Sequence, residues 1–328
     1  MRYLVAGTGA LGSVFGGLLQ HSGHSVAYLG RGEHFEQAKV QGLSLDGIWG
    51  EFHVGPITPA GLQAQTPETY EVILLCVKSF ATRETCRQLR GRLAPRGLII
   101  SVQNGLGNLE IIAQEFGAER TVGARVIFGA QVTRPGLVTV TVYAAPVLLG
   151  ALTPDHPPGK LAQVAADLNR AGIPAEIVDQ IVPHLWDKVL YNCALNPLGA
   201  ILGAPYGALG ENPETRELMR LIIAEIYLVA RAKGVGLHHA DAAAYFRHFL
   251  ENLVPPTAAH WPSMWQDLQA GRRTEIEALN GAICRYGREA RVSTPYNDAV
   301  SRLVRFKEDD AVHAAASNGR LPKGENQT

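Results

Sequence analysis

Six residues near the start constrain the fold more than any other feature. "GTGALG", residues 7–12, spaces Gly7, Gly9 and Gly12 as G-x-G-x-x-G. It follows an apolar run, "YLVAG" at 3–7, and opens a helical pattern, "SVFGGLLQHSG". The first glycine permits a tight turn, the second lets backbone approach a pyrophosphate, and the third lets the helix pack close to the sheet. The helix N-terminus then offers unpaired N–H groups to an anion. Such a turn alone is weak evidence, because glycine turns also serve purely structural ends. Between a strand and a helix it points to dinucleotide binding, with Gly7, Thr8, Gly9, Ala10, Leu11 and Gly12 as the cradle.

The chain that follows fits a Rossmann-type α/β domain. "SVAYLGR" (25–31), "EVILLCVK" (71–78) and "GLIISVQ" (97–103) read as strands covered on both faces, with helical segments between several of them. "GLSLDGIWGEFHV" (42–54) reads as an antiparallel excursion and "GLVTVTVYAAPVLLG" (136–150) as edge strands finishing the sheet. A loop at 154–159, a helix over 160–170 and a strand at 175–179 come next. From Ile181 helical patterns dominate, over 184–202, 213–234, 238–251 and 274–290, interrupted at 253–263. The expected organisation is an NADP-binding Rossmann-type domain over 1–179 and an all-helical catalytic domain over 180–328, with a frayed tail from Glu308.

Composition narrows the partners. Lys plus Arg equals Asp plus Glu, at 30 each in 328 residues, which argues against a general nucleic-acid-binding role. No run approaches the ~20 apolar residues of a membrane span, and the first residues read as a strand and turn rather than a signal peptide. The four cysteines form no C-x-x-C pair, so neither a metal site nor a disulfide framework is expected. Cys76 and Cys193 lie in apolar runs as small hydrophobes, and the setting expected is reduced and cytoplasmic.

The second strand ends at "LGRGEH". An NAD-binding fold usually places an acid there for the ribose hydroxyl, whereas this chain places Arg31, which suits the 2′-phosphate of NADP. The competing readings are a solvated surface arginine, or Glu33 as the missing acid beyond Gly32. Lys78 in "CVKSF" and Asn104 in "SVQNG" stand at carboxyl ends of predicted parallel strands, where ligands of open α/β sheets bind. Their bland alternatives are solvent exposure and an Asn-Gly turn.

"HLWDKVLYNCALNPLG" (184–199) spaces Lys188, Asn192 and Asn196 four apart in an otherwise apolar helix. Residues four apart advance ~400°, so all three stay within about 80° of arc. A lysine on such a helix costs stability unless it is paired or lines a wet cleft. In a cleft its lowered pKa suits a general acid, and the amides can orient a carboxylate or hydroxyl. The alternative is a snorkelling lysine beside two core amides. Pro197 is expected to kink or stop the helix at Asn196. "WPSMWQDL" offers Ser263 to the same wall, and "RRTEIEALNG" offers Glu275. Thr274 and Glu277 fit a capping box, which occupies Glu277 and leaves Glu275 available.

With "GTGALG", "CVKSF", "SVQNG", "LWDKVLYNCALNPLGAI" and "PSMWQDLQAGRRTEIEALNG" in view, the chain resembles the ketopantoate reductase family over nearly its whole length except the tail. The resemblance implies a Rossmann domain, a helical domain and NADPH-dependent reduction of 2-dehydropantoate to pantoate, toward pantothenate and coenzyme A. It implies Lys188 as general acid and Glu275 as its assistant or a substrate ligand, also near the cofactor. Asn192, Asn196 and Ser263 would hold substrate, Lys78 and Asn104 would contact cofactor near the reacting carbon, Asn104 also binding substrate, and Arg31 would meet the 2′-phosphate. One departure stands out: some relatives carry another substrate asparagine where this chain has Tyr206. Two rivals remain: an NADP-linked dehydrogenase for another small 2-oxo acid, and a non-catalytic NADPH-binding sensor. The apolar C-terminal helices would also suit a homodimer.

Overall fold

The structure is a computed structural model that describes residues 1–61, 68–157 and 159–317. It divides into two compact units, Met1–Leu185 and Trp186–Thr328.

The first unit is a sheet flanked by helices. In chain order it comprises β1 (Arg2–Ala6), α1 (Ala10–His21), β2 (Ser25–Leu29), α2 (Glu33–Gln41), β3 (Leu43–Gly47), β4 (Phe52–Val54), β5 (Thr58–Pro59) and β6 (Tyr70–Leu75). Then come α3 (Thr82–Gln88), β7 (Leu93–Ser101), α4 (Asn108–Phe116), β8 (Thr121–Arg134), β9 (Leu137–Ala151), α5 (Lys160–Arg170) and β10 (Ala175–Ile177). The sheet order is β4-β3-β9-β8-β7-β6-β1-β2-β5, with β10 alongside β9. Parallel ladders join β2, β1, β6, β7 and β8.

Alternation along the central strands builds two apolar layers. Tyr3, Val5, Val72, Leu74, Leu98 and Ile100 face one core, and Leu4, Ala6, Ile73, Leu75 and Ile99 face the other. Both faces being covered explains why these strands read as continuous apolar runs. The segment at 42–54 does pair antiparallel, as β3 with β4. The reading of 136–150 as edge strands is wrong. That stretch belongs to one long strand, β9, which is interior: β8 runs along one side, and β3 and β10 share the other. β8 itself was not read from the sequence.

The division between units falls within α6 (Ile181–Leu202). The second unit continues through α7 (Tyr206–Glu211), α8 (Pro213–Ala232), α9 (Ala242–His248), α10 (Ser263–Gln269), α11 (Asn280–Ala290) and α12 (Pro295–Ser317). Caps set several starts. Asn212 Oδ1 accepts from Glu214 N at 2.9 Å, with Pro213 at the first helical position of α8. Asp241 Oδ1 accepts from Ala244 N at 2.8 Å, so α9 begins at Ala242 rather than 238 and passes into a π-helical turn over Phe249–Leu253.

Three local expectations fail in this unit. Pro197 does not end α6, which runs on to Leu202. Thr274 and Glu277 do not form a capping box: Ile276–Ala278 is a 3₁₀ turn, and α11 starts only at Asn280. Glu277 instead accepts from Arg305 Nε at 2.6 Å, and Thr274 N donates to Glu308 Oε1 at 2.6 Å, both partners lying on α12. Tertiary partners thus outcompete the local motif. The tail is not frayed from Glu308, because α12 continues to Ser317; residues 318–328 lie outside the described residues.

Candidate functional site

The glycine turn has the geometry its spacing predicts. Gly7 has φ 107°, a left-handed conformation, and its N–H donates to Leu29 O at 2.8 Å. A methyl group at Gly7 would lie 2.6 Å from Val77 N. One at Gly12 would overlap Gly7 O, so only glycine lets α1 approach the turn this closely. Gly9 is different: it is exposed, and a methyl there would meet nothing within 4 Å. It precedes α1 with extended backbone, no side-chain cap and no acid in the first turn. Open space before uncapped helix N–H groups fits an anionic pyrophosphate. Thr8 is buried, with its hydroxyl toward Gly30 at the end of β2, while Ala10 and Leu11 begin the helix half-buried.

Arg31 is exposed, just beyond β2, and Glu33 is exposed at the start of α2. Between that loop and the body of the unit stands His34, which the sequence reading missed. Its Nδ1 accepts from Gly136 N at 3.0 Å, and its Nε2 lies 2.9 Å from Ser13 Oγ on α1. Burial lowers the His34 pKa below its ordinary value, against a backbone hydrogen bond with Arg134 that raises it.

Lys78 and Asn104 are both half-buried in loops that leave adjacent strands, β6 and β7. A buried network ties these loops together. Gln103 Nε2 donates to Val77 O and to Thr82 Oγ1, each at 2.8 Å, and Ser101 Oγ donates to Gln103 Oε1 at 3.0 Å. The Thr82 hydroxyl lies 2.7 Å from Ser79 O and 2.9 Å from Asn108 Oδ1, and Asn108 Nδ2 donates to Asn104 O at 2.9 Å. Backbone on either side of Lys78, and that of Asn104, is therefore held by side chains with no solvent to replace them. None of Gln103, Thr82 or Asn108 was singled out from sequence. The available signal was a glutamine closing a buried strand beside Asn104. Because β7, β6, β1 and β2 are parallel neighbours, Asn104, Lys78, the glycine turn and Arg31 follow the same end of four adjacent strands.

In the second unit α6 is buried on every residue from Asn192 to Ala200, with Val189, Leu190, Cys193, Ala194, Leu195 and Leu198 at 3% exposure or less. Asn192 and Asn196 are buried, and Lys188 is half-buried one turn earlier on the same stripe. Tyr206 is buried on α7, and its hydroxyl donates to Asn196 Oδ1 at 2.5 Å. The departure at this position therefore has a structural role: it fixes the Asn196 carboxamide with its NH2 turned away from the tyrosine. Tyr206 is backed by Tyr191 and His260, with ring centroids 5.8 and 5.2 Å away.

The later motifs also converge on α6. A methyl at Gly199 would lie 2.5 Å from Pro262 Cγ, so the segment carrying Ser263 packs directly on the helix; Ser263 itself is exposed at the first position of α10. Glu275 is half-buried at the entry to the 3₁₀ turn. Five residues on, Asn280 donates from Nδ2 to Cys193 O at 3.1 Å. The structure thus gathers Tyr206, Pro262–Ser263 and the "TEIEALNG" segment around the Lys188–Asn192–Asn196 helix. Cys193 is fully buried, and Cys76 is half-buried against the first unit's core. Among the described residues no helix is long and apolar enough to cross a membrane.

The chain matches two models of known families: "Ketopantoate reductase PanE/ApbA" over residues 3–153 and "Ketopantoate reductase PanE/ApbA C terminal" over 180–308. It is 37% identical over 313 residues to the 2-dehydropantoate 2-reductase of Aquifex aeolicus (strain VF5), spanning 94% of this chain and 97% of that protein. Among solved structures it is similar to a PanE/ApbA family ketopantoate reductase from Ralstonia eutropha JMP134, with TM-score 0.83, 30% identity and coverage of 95% of this chain and 99% of the other. It is also similar to a D-mandelate dehydrogenase in complex with NADH and anilino(oxo)acetate, with TM-score 0.85, 28% identity and the same coverage. With both halves matched in order and a relative aligned almost end to end, the chain belongs to the ketopantoate reductase PanE/ApbA family.

Proposed function

We propose that the protein reduces 2-dehydropantoate to pantoate with NADPH, as a cytoplasmic step of pantothenate and coenzyme A biosynthesis. The observation that carries this reading is the polar stripe on α6: a half-buried ammonium followed by two carboxamides in a stretch buried at every residue from Asn192 to Ala200. A core helix needs no such stripe, whereas a 2-oxo acid needs both a proton donor and oriented hydrogen bonds.

Bound NADPH supplies a hydride to the C2 ketone. The Gly7–Gly12 turn holds the pyrophosphate on the N–H groups of α1, and Arg31 pairs with the 2′-phosphate. Lys78 and Asn104, fixed by the Gln103–Thr82–Asn108 network, orient the groups nearest the reacting carbon. Lys188 delivers a proton to the carbonyl oxygen as that oxygen gains charge, and Glu275 assists it. Asn192, Asn196 and Ser263 hold the substrate. Family relatives named 2-dehydropantoate 2-reductase support the substrate, and Arg31 supports NADPH.

A second reading, reduction of another small 2-oxo acid, is favoured by one observation. Tyr206 donates to the Asn196 oxygen and so fixes the orientation in which that amide can meet a substrate. The test is cofactor oxidation by the purified chain, with NADPH or NADH, against 2-dehydropantoate and a panel of 2-oxo acids. Fastest turnover with NADPH and 2-dehydropantoate is expected. Lys188→Ala should lower kcat about 10²–10⁴-fold and leave NADPH affinity within about twofold. Near-normal turnover in that variant removes Lys188 from the role.

A further inference from the structure

Pro197 lies inside α6, four residues beyond Cys193. In an α-helix the N–H of one residue bonds the carbonyl four residues back, so residue 197 should satisfy Cys193 O. Proline has no N–H. Cys193 is fully buried, so no solvent can take over. Asn280, itself 0% exposed, places Nδ2 3.1 Å from that carbonyl. A side chain from α11 therefore donates the hydrogen bond that the proline deletes.

The direction of that amide is dictated from further away. Glu225 on α8 is buried, and its carboxylate only accepts: from Tyr296 N and Asn297 N at 2.9 Å each, and from Asn297 Nδ2 at 2.7 Å. Asn297 must therefore turn its NH2 to Glu225 and its oxygen to Asn280. Asn280 Nδ2 donates to that oxygen at 3.0 Å, so its NH2, and not its oxygen, faces α6. A flipped Asn280 would set two acceptors against Cys193 O and Asn297 Oδ1.

We propose that Asn280 is a positioning residue for the reaction. By replacing the bond lost at Pro197, it fixes the helical turn that carries Asn192 and Asn196, the latter already gripped by Tyr206. The Glu225–Asn297 pair sets its polarity. This rests on the reading of those asparagines as substrate-holding residues.

The decisive experiment uses Pro197→Ala as a rescue, because that substitution restores a backbone N–H opposite Cys193 O. Asn280→Ala should lower kcat/KM for 2-dehydropantoate about tenfold, chiefly through KM, if the competent arrangement falls to about a tenth of the population. NADPH Kd should not move, and hydrogen exchange should quicken over 193–200. Asn280→Ala with Pro197→Ala should recover both kcat/KM and protection. If Asn280→Ala does not fold, recovery of a folded double variant supports the proposal equally. A double variant as impaired as the single one, or a pair that both fail to fold, overturns it, since Asn280 would then serve general core packing. Exchange that is rescued while the wild type turns over no 2-oxo acid keeps the backbone bond but defeats the functional reading, so the two failures are distinct.

Discussion

Gln103 offers the sharpest test of how the glycine-turn end of the sheet is built. Its side chain is 7% exposed, and its carboxamide makes three hydrogen bonds, to Val77 O, Thr82 Oγ1 and the Ser101 hydroxyl. Gln103→Leu keeps the volume nearly constant, so little of the effect comes from a cavity. Each neutral bond contributes about 0.5–1.5 kcal/mol, and a buried partner left unmet adds about 1–3 kcal/mol. Allowing for relaxation of Thr82 toward Ser79 O and Asn108, the first unit should lose about 2–4 kcal/mol. The loss falls where backbone around Lys78 is tied to backbone before Asn104. If the tied arrangement drops to about a tenth of the population, apparent NADPH Kd rises about tenfold. Urea unfolding and a fluorescence titration with NADPH read the two effects. A variant with both an unchanged midpoint and an unchanged Kd refutes the claim that this network positions the two loops.

Two further outcomes follow from the geometry. Tyr206→Phe removes the donor to Asn196 Oδ1; stability should fall by about 1–3 kcal/mol, and KM for the 2-oxo acid should change more than kcat, because the amide is freed to turn. Unchanged thermal unfolding together with unchanged KM counts against the Tyr206–Asn196 bond. Alkaline pH should unfold the protein: burial raises the phenol pKa of Tyr3, Tyr28, Tyr206 and Tyr245 above the ordinary value of 10. The folded state keeps these protons while the unfolded chain releases them. Stability is thus full below pH 10 and falls by about 1.4 kcal/mol per pH unit per tyrosine above it. Tyr28→Phe should flatten that fall by one proton's share in thermal scans across the alkaline range.

Much of this was readable in the chain because it rests on short-range pattern. The glycine turn and the central strands are legible because local spacing and two-sided burial dictate them. The α6 stripe is legible because four-residue spacing maps directly onto a helix face. β8, and the interior place of β9, were not, since their pairing shifts register at several points, between Arg125 and Ile127 and again near Gly129, which breaks the alternation a reader looks for. The capping box failed because Arg305 and Glu308 reach its atoms from a helix about thirty residues away. The proline rule failed for a similar reason: the compensating donor, Asn280, is remote in sequence. Gln103, Thr82 and Asn108 went unread because each acts through backbone atoms of another loop.

The interior place of β9 bears on how the chain is made. β3 pairs Ser44 with Leu137, and β10 pairs Ala175 with Val147, so β9 is a seam between an early strand and a late one. While the ribosome is still spelling out the middle of the chain, Leu43 and Leu45 of β3 have no permanent neighbour on that side. At about 5–20 residues per second, that interval is on the order of several seconds. The end of the sheet that carries the glycine turn, by contrast, needs only β1, β2, β6 and β7 and can assemble before the seam is closed. The seam is therefore the last part of the sheet that chain order allows to close, since β10 follows β9 in the sequence.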